Sequence, residues 1–575
     1  MILQIVRPLL FALAPLLAIA SHATTYYVAT NGVDTNAGTS TNAPWRTIQK
    51  AANTLAPGDT VLVRGGVYNQ AVTFNVSGSA AGGRITFRSY PGETAIVDGT
   101  GLTVPSSDYA AGLFEFTSAS YLVVQGFEIR NYQANSTALV PAGIDITGAP
   151  HDLTFISNRV HHIANLNATA NAEAYGVAVH GTLPQAISNL VFRSNEIYSN
   201  TLGQSEALSL DGNVDGFEIS GNWIHDNNNI GIGFIAWEGV CSNPNLDYTR
   251  NGVCRSNVVW NISDASNPSY PANDYSAAGI YPDGASNVVI ELNQIHHCDL
   301  GVEMASEHKG RATIACVCRD NLIWSNNVAG LSIGGYGSAR GRTELCTITH
   351  NTLYHNDTLQ QGNGEMQMQW YANTNVITHN IFAASPQNIL LTVQHPCTND
   401  VVDWNLYFAP GGANNSEWAW PGHAYTTFAS WKSGTGNDAH SFFADPLFIN
   451  ANSLNFHLST NSPAVNAGDP NFQSLTNQPA ETDIDLQPRT ALGRTDIGAD
   501  ELNLLSVTLG IAPAANRQVQ LQLAGEPGHP FVWLQSDTLS DWLPYLTNYS
   551  TGTGLIILTN SAVVAAHFFC ARMIQ

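Results

Sequence analysis

One short phrase recurs nine times between about residues 143 and 408 and restricts the fold more than anything else in the chain. Two or three alternating apolar residues lead into a turn. The turn is followed by Asn-x-apolar and, in most repeats, His, Tyr or Trp. The Asn positions are Asn158, Asn195, Asn222, Asn257, Asn293, Asn321, Asn351, Asn380 and Asn405, spaced 25 to 37 residues apart. Spacing of this size signals one structural unit stacked on copies of itself. Phe155/Ile156, Val191/Phe192, Val289/Ile290 and Ile348 stand just before the Asn, rich in β-branched and aromatic types and alternating with period two. No repeat holds an amphipathic helical run, and each is too short for a strand–helix–strand unit. The chain is therefore expected to be all-β, a coil of strands stacked as a solenoid. In such a coil each Asn amide bonds those one rung above and below, about 4.8 Å away.

The ends read differently. Arg7, the apolar run 9–20 and the small residues Ser21-His22-Ala23 have the form of a secretory signal over 1–23, with the mature chain starting at Thr24. The protein is expected to be secreted or cell-surface and monomeric. No later stretch is apolar enough to span a membrane. A balance of 21 − 44 = −23 argues against nucleic acid as a partner. Cys241 and Cys254 flank a loop and are the best disulfide candidates among the eight cysteines. Cys316 and Cys346 each stand five residues before a ladder Asn, so they are expected to stack inward as buried thiols.

The opening of the mature chain contains Tyr26-Tyr27-Val28-Ala29-Thr30-Asn31-Gly32, Pro44-Trp45-Arg46-Thr47-Ile48-Gln49-Lys50-Ala51, Pro57-Gly58-Asp59-Thr60-Val61 and Val63-Arg64-Gly65-Gly66-Val67-Tyr68. It resembles the start of secreted right-handed parallel β-helix proteins of the pectate-lyase-like superfamily, most of all polysaccharide lyase family 9. The resemblance implies a right-handed, single-stranded parallel β-helix. Ile48, Ala51, Ala52 and Leu55 have helical spacing, which predicts a short helix capping the open end. The family's aspartate cluster has its nearest counterpart in Asp211 and Asp215, but no lysine follows within two rungs. Further on, Ala444-Asp445-Pro446-Leu447-Phe448, Ser462-Pro463-Ala464-Val465-Asn466-Ala467-Gly468 and Asp496-Ile497-Gly498-Ala499-Asp500-Glu501 resemble the choice-of-anchor Q segment that follows many such helices. The expected organisation is a cap with first coils over 24–100, the β-helix over 101–410, a closing segment over 411–503 and a small β-sandwich over 504–575. Trp533, Trp542 and Tyr545 of the last unit are read either as core or as sugar contacts.

Aligning the Gly-started strands assigns an outer face to Ala178/His180, Ser209/Asp211, Gly233/Ile235, Tyr281/Asp283, Glu303/Ala305, Ser332/Gly334 and Gln367/Gln369, with Glu115 and Asp145 upstream. Its acidic centre is Asp283 with Glu303. Following turns add Trp237, Glu238, Glu307, His308, Lys309, Tyr336, Arg340, Arg342, Trp370 and Tyr371. An open groove of acids and aromatics suits an extended polysaccharide, with Tyr281, Trp237, His308, Tyr336 and Trp370 as the expected contacts. Lys309 is one of three lysines in the chain and the only one in the repeats. With Arg311, Arg319, Arg340 and Arg342 it forms a basic window, suited to an anionic sugar or to salt bridges with Glu303, Glu307 and Glu344.

β-Elimination of a uronate needs its carboxylate neutralised, a base for the C5 proton and an acid for the leaving oxygen. The run from Glu303 to Lys309 is similar to the acidic strand and lysine of calcium-dependent β-helix lyases of family 6. That resemblance implies Ca2+ held by Glu303, joined by Glu307 and Asp283, with Lys309 as base and Arg340 or Arg342 assisting. An inverting glycoside hydrolase is the alternative, since one rung plus two residues separates Asp283 from Glu303 by about 8 Å. A third reading is a non-catalytic glycan-binding or adhesion protein. Should these residues not be the site, the next place on the face is His180, Ser209 and Asp211.

Overall fold

The computed structural model describes residues 23–421, 423–473, 480–490, 493–503, 508–514, 518–536, 543–550, 555–561 and 568–573. The apolar leader read as a signal peptide lies, but for its last residue, outside the described residues, as does Trp542.

The chain winds as a right-handed β-helix with three parallel sheets, and each coil visits them in a fixed order. One coil runs Tyr175–Gly181 in the first sheet, Leu190–Arg193 in the second and Glu196–Tyr198 in the third, then returns to the first at Leu208–Gly212. Parallel pairing begins where Thr25–Val28 meets Thr60–Val63 and is still present where Leu406–Phe408 meets Phe442–Phe443. Inward residues of all three sheets form one continuous apolar core. The expected cap is helix α1, Ile48–Ala52. Thr47 Oγ1 accepts from Lys50 N at its start, and Ile48, Ala51 and Ala52 are buried on the coil.

The nine Asn form one ladder at the turn from the second sheet to the third. Asn158 donates from both N and Nδ2 to Asn195 Oδ1, each at 3.0 Å. The same pair of bonds repeats down to Asn380 and Asn405. The residue before every ladder Asn is left-handed, with φ between 53° and 62°. That one residue reverses the chain and turns the Asn side chain inward. Only Gly221 among the nine is a glycine, so the remaining eight carry a conformation unfavourable to L-residues that the ladder stabilises. A second, shorter ladder at the next corner links Asn200 to Asn227, and Asn326 to Asn356 and Glu365.

All eight cysteines are free, which corrects the expected Cys241–Cys254 pairing. Cys254 belongs to the strand Arg250–Arg255 and points into the core, where Asn257 Nδ2 donates to its sulfur; Cys241 Sγ faces Leu183 O instead. Cys316 and Cys346 are buried inward thiols, as expected.

The closing segment lies against the outer face of the third sheet at its far end, where Ile381 and Leu406 pack with Leu458, Ala464 and Ile497. Beyond it stand two three-stranded antiparallel sheets around Leu521, Leu523, Phe531, Trp533 and Ile556. Trp533 is thus a core residue, and Tyr545 is exposed.

Candidate active site

The first sheet carries the site, and its register is the one the alternation implies. Ser209 pairs with Ala178 and Gly233, Gly233 with Tyr281, and Glu303 with Ser332. In one column of the outer face the side chains at three successive rungs are Ala178, Ser209 and Gly233. These small groups leave a hollow. A Cβ on Gly233 would stand 2.9 Å from Glu206 Cγ, so its absence lets Glu206 lie on the floor. The next column holds His180, Asp211 and Ile235.

The face is not the open groove expected from alternation. Its side chains are buried, because the segments around 107–109, 137–140, 204–206 and 236–248 rise over them. What remains is a cleft of about 640 Å³. Asp108, Glu173, Glu206, Asp211, Glu238, Asp283 and Glu307 line it together with His180, Tyr109, Tyr175, Tyr270 and Tyr281, and no Lys or Arg does. So much like charge at low solvent exposure drives protons onto the carboxyls. Burial and the neighbouring Glu307 push Asp283 well above the carboxylate range. Burial and Glu206 do the same to Asp211. Glu206 is pushed up to about 7 by burial and Glu173. His180 stacks on Tyr109 at 5.0 Å, its Nδ1 buried without a hydrogen-bond partner and 3.9 Å from Asp145 Oδ1.

Of the residues expected here, Tyr281, Asp283 and Glu307 meet at the cleft wall. Glu307 N donates to Asp283 Oδ1 at 2.8 Å, and Glu307 Oε1 accepts from Tyr281 Oη at 3.3 Å. Tyr336 Oη donates to Glu307 Oε2 at 3.2 Å, and Arg340 lies over the Tyr336 ring with Nη1 3.6 Å from Glu307. His308 Nε2 meets Glu238 Oε1 at 2.9 Å and joins two walls at the rim. Trp237 is sandwiched between Tyr248 and Arg311.

Others fall elsewhere. Glu303 is buried beside Tyr281 in register but outside the cleft lining; burial, then Glu307, pushes it up to about 8. Lys309 stands exposed on the turn, outside the lining and without an ion pair or hydrogen bond among the described residues. Arg342 pairs with Glu344 and Gly310 O, away from the cleft. Trp370 stacks on His395. The basic window is not one patch: Arg319 is fully buried behind the second sheet against Glu291 and Glu481. Asp215 likewise leaves Asp211 for the second sheet, where it pairs with Arg250 at 3.0 Å.

The carboxylates expected to hold calcium, Asp283, Glu303 and Glu307, are not among the described groups that bring three donor atoms within 4.8 Å of one another. In the metal-free chain burial and like charge also raise Asp283 and Glu303, as they do in any cluster of carboxyls without a cation.

The fold is that of a right-handed parallel β-helix protein with an acidic cleft on its first sheet. Residues 26–242 match the model of the "Pel9A-like, right handed beta helix region". The uncharacterized protein YwoF of Bacillus subtilis is 34% identical over 440 residues, 76% of this chain and 91% of YwoF. The chain belongs to one family with YwoF, and its first coils match the Pel9A-like β-helix region. Pectate lyase PEL9 of Emericella nidulans is 35% identical over 88 residues, 15% of this chain and 21% of PEL9.

Proposed function

We propose that the protein is an extracellular polysaccharide-cleaving enzyme working in the acidic cleft, and that it cleaves a uronate-containing chain by β-elimination. One observation carries this reading: the stretch matching the Pel9A-like family also builds the cleft wall from Ser107 to Val240. The cleft offers groups for each part of an elimination. Carboxyls held neutral, Asp211 and Asp283 first, donate hydrogen bonds to the substrate carboxylate and take the place of a cation. His180, with Nδ1 unpartnered, is placed to take the C5 proton. Tyr109, whose ring stacks on His180 at 5.0 Å, is the hydroxyl near enough to protonate the leaving oxygen on the adjacent carbon, whereas Tyr281 stands three rungs away and is held by Glu307.

Seven carboxyls and no Lys or Arg in the lining favour a second reading, hydrolysis of a glycan, with neutral Asp283 as general acid. The test is a polysaccharide panel, with and without added calcium. Elimination gives the ultraviolet absorbance of an unsaturated uronyl end, whereas hydrolysis gives new reducing ends without it. Lys309→Ala is expected to keep most of its turnover. A loss of 10²-fold or more, the order of a missing general base, would instead return the base role to Lys309.

A further inference from the structure

Two clusters outside the cleft bring three metal-ligating side chains within 4.8 Å: Asp320, His350 and Glu481, and His457, Asp485 and Asp500. The first is already served by guanidinium groups. Arg319 Nη1 lies 3.5 Å from Glu481, and Arg489 Nε lies 3.5 Å from Asp320. The second has no such partner: among the described residues no Lys or Arg pairs with Asp485, Asp500 or the neighbouring Glu526.

We propose that His457, Asp485 and Asp500 form a site for a divalent cation of the zinc type, at the seam between the closing segment and the terminal pair of sheets. His457 is oriented as a ligand is: Nδ1 is held by Asn455 Oδ1 at 2.6 Å, which leaves Nε2 to face Asp485 Oδ2 at 2.7 Å. Asp500 supplies the independent sign of a missing ligand. Its Oδ2 accepts from Leu458 N at 2.7 Å, but its Oδ1 has no partner, in a residue only 2% exposed. A buried carboxylate oxygen without a donor is costly and calls for a cation or a proton. One imidazole and two carboxylates suit zinc, with water completing four-coordination.

The ion would act as a fastener. Asn455 Nδ2 donates to Gly528 O at 2.8 Å and His529 Nε2 donates to Leu458 O at 3.0 Å, so the site stands where the two parts already touch.

The test uses tag-free full-length protein, stripped with chelator and titrated with zinc chloride in a calorimeter. One equivalent is expected to bind and to raise the melting temperature. Asp500→Asn, which preserves shape, is expected to weaken binding at least about 10-fold. Should that variant not fold, Asp485→Asn takes its place. Cobalt is expected to show the visible spectrum of a four-coordinate ion in the wild type and not in the variant. No binding, or equal binding by wild type and variant, overturns the proposal. Equal binding would place zinc on other imidazole pairs, the exposed His296–His297 or the half-buried His161–His162, with the His457 charge alone balancing the carboxylates.

Discussion

The ladder Asn shows how far one side chain governs the coil. Asn321 Oδ1 takes two donors from Asn293, and its Nδ2 reaches Asn351 Oδ1, Ile290 O and Arg319 O, all inside the protein. Asn321→Leu is expected to cost about 1–3 kcal/mol in denaturant unfolding, because buried partners are left unsatisfied. Glu365 makes a different demand. It accepts from Asn356 N and Nδ2 at the end of the second ladder, and burial pushes it up to about 8. A carboxyl raised in the folded state contributes stability that is whole below its unfolded value and is lost as pH climbs through the folded one. Melting temperature is therefore expected to fall between about pH 5 and pH 9, and to fall less in Glu365→Gln. The first ladder was legible because Asn at a fixed phase has no cheaper explanation. The second was less so, because the same position, five residues after the ladder Asn, holds Asn200, Asn227, Asn326 and Asn356 in four coils but Ile163, Ile262 and Cys298 in others, where at Ile163 and Cys298 the backbone N alone joins the next Asn.

At the scale of the element, strand alternation placed the first-sheet residues in their true register, since period two leaves a strand little freedom once one face is apolar. It did not reveal what covers the outer face. Asp108, Tyr109, Glu173 and Glu206 lie on connections, where no period applies, and so went unnoticed. Asp211, Ser209 and His180 were visible, but as a second choice behind the Asp283–Lys309 region. Arg319 was misread for the same kind of reason: sequence proximity to Lys309 says nothing about which of three sheets a residue occupies. Strand geometry also bears on the thiols. Cys254, Cys298, Cys316, Cys318 and Cys346 are inward and buried. A thiol reagent is expected to leave these five unmodified in the native protein and to modify all eight after unfolding without reductant; a cysteine reactive only after reduction would show a disulfide the fold does not contain.

At the scale of the molecule, a long coil carries a cleft on one face and its closing segment on another. The terminal sheets touch the closing segment through Gly528, His529 and Glu526 rather than the cleft. Deleting residues 504–575 is expected to leave the coil folded and polysaccharide turnover within about 2-fold, read by circular dichroism and product release. Loss of soluble protein would show that the last unit is needed to cover the closing segment. The most direct test of the central claim is product release from a cleaved polysaccharide by wild type, Asp211→Ala and Asp283→Ala, which remove the donor itself, each checked for an unchanged fold. If the acidic cleft is the active centre, each substitution lowers turnover by about 10²-fold or more. Full turnover in both, on a polysaccharide the wild type cleaves, would place the chemistry elsewhere on the coil.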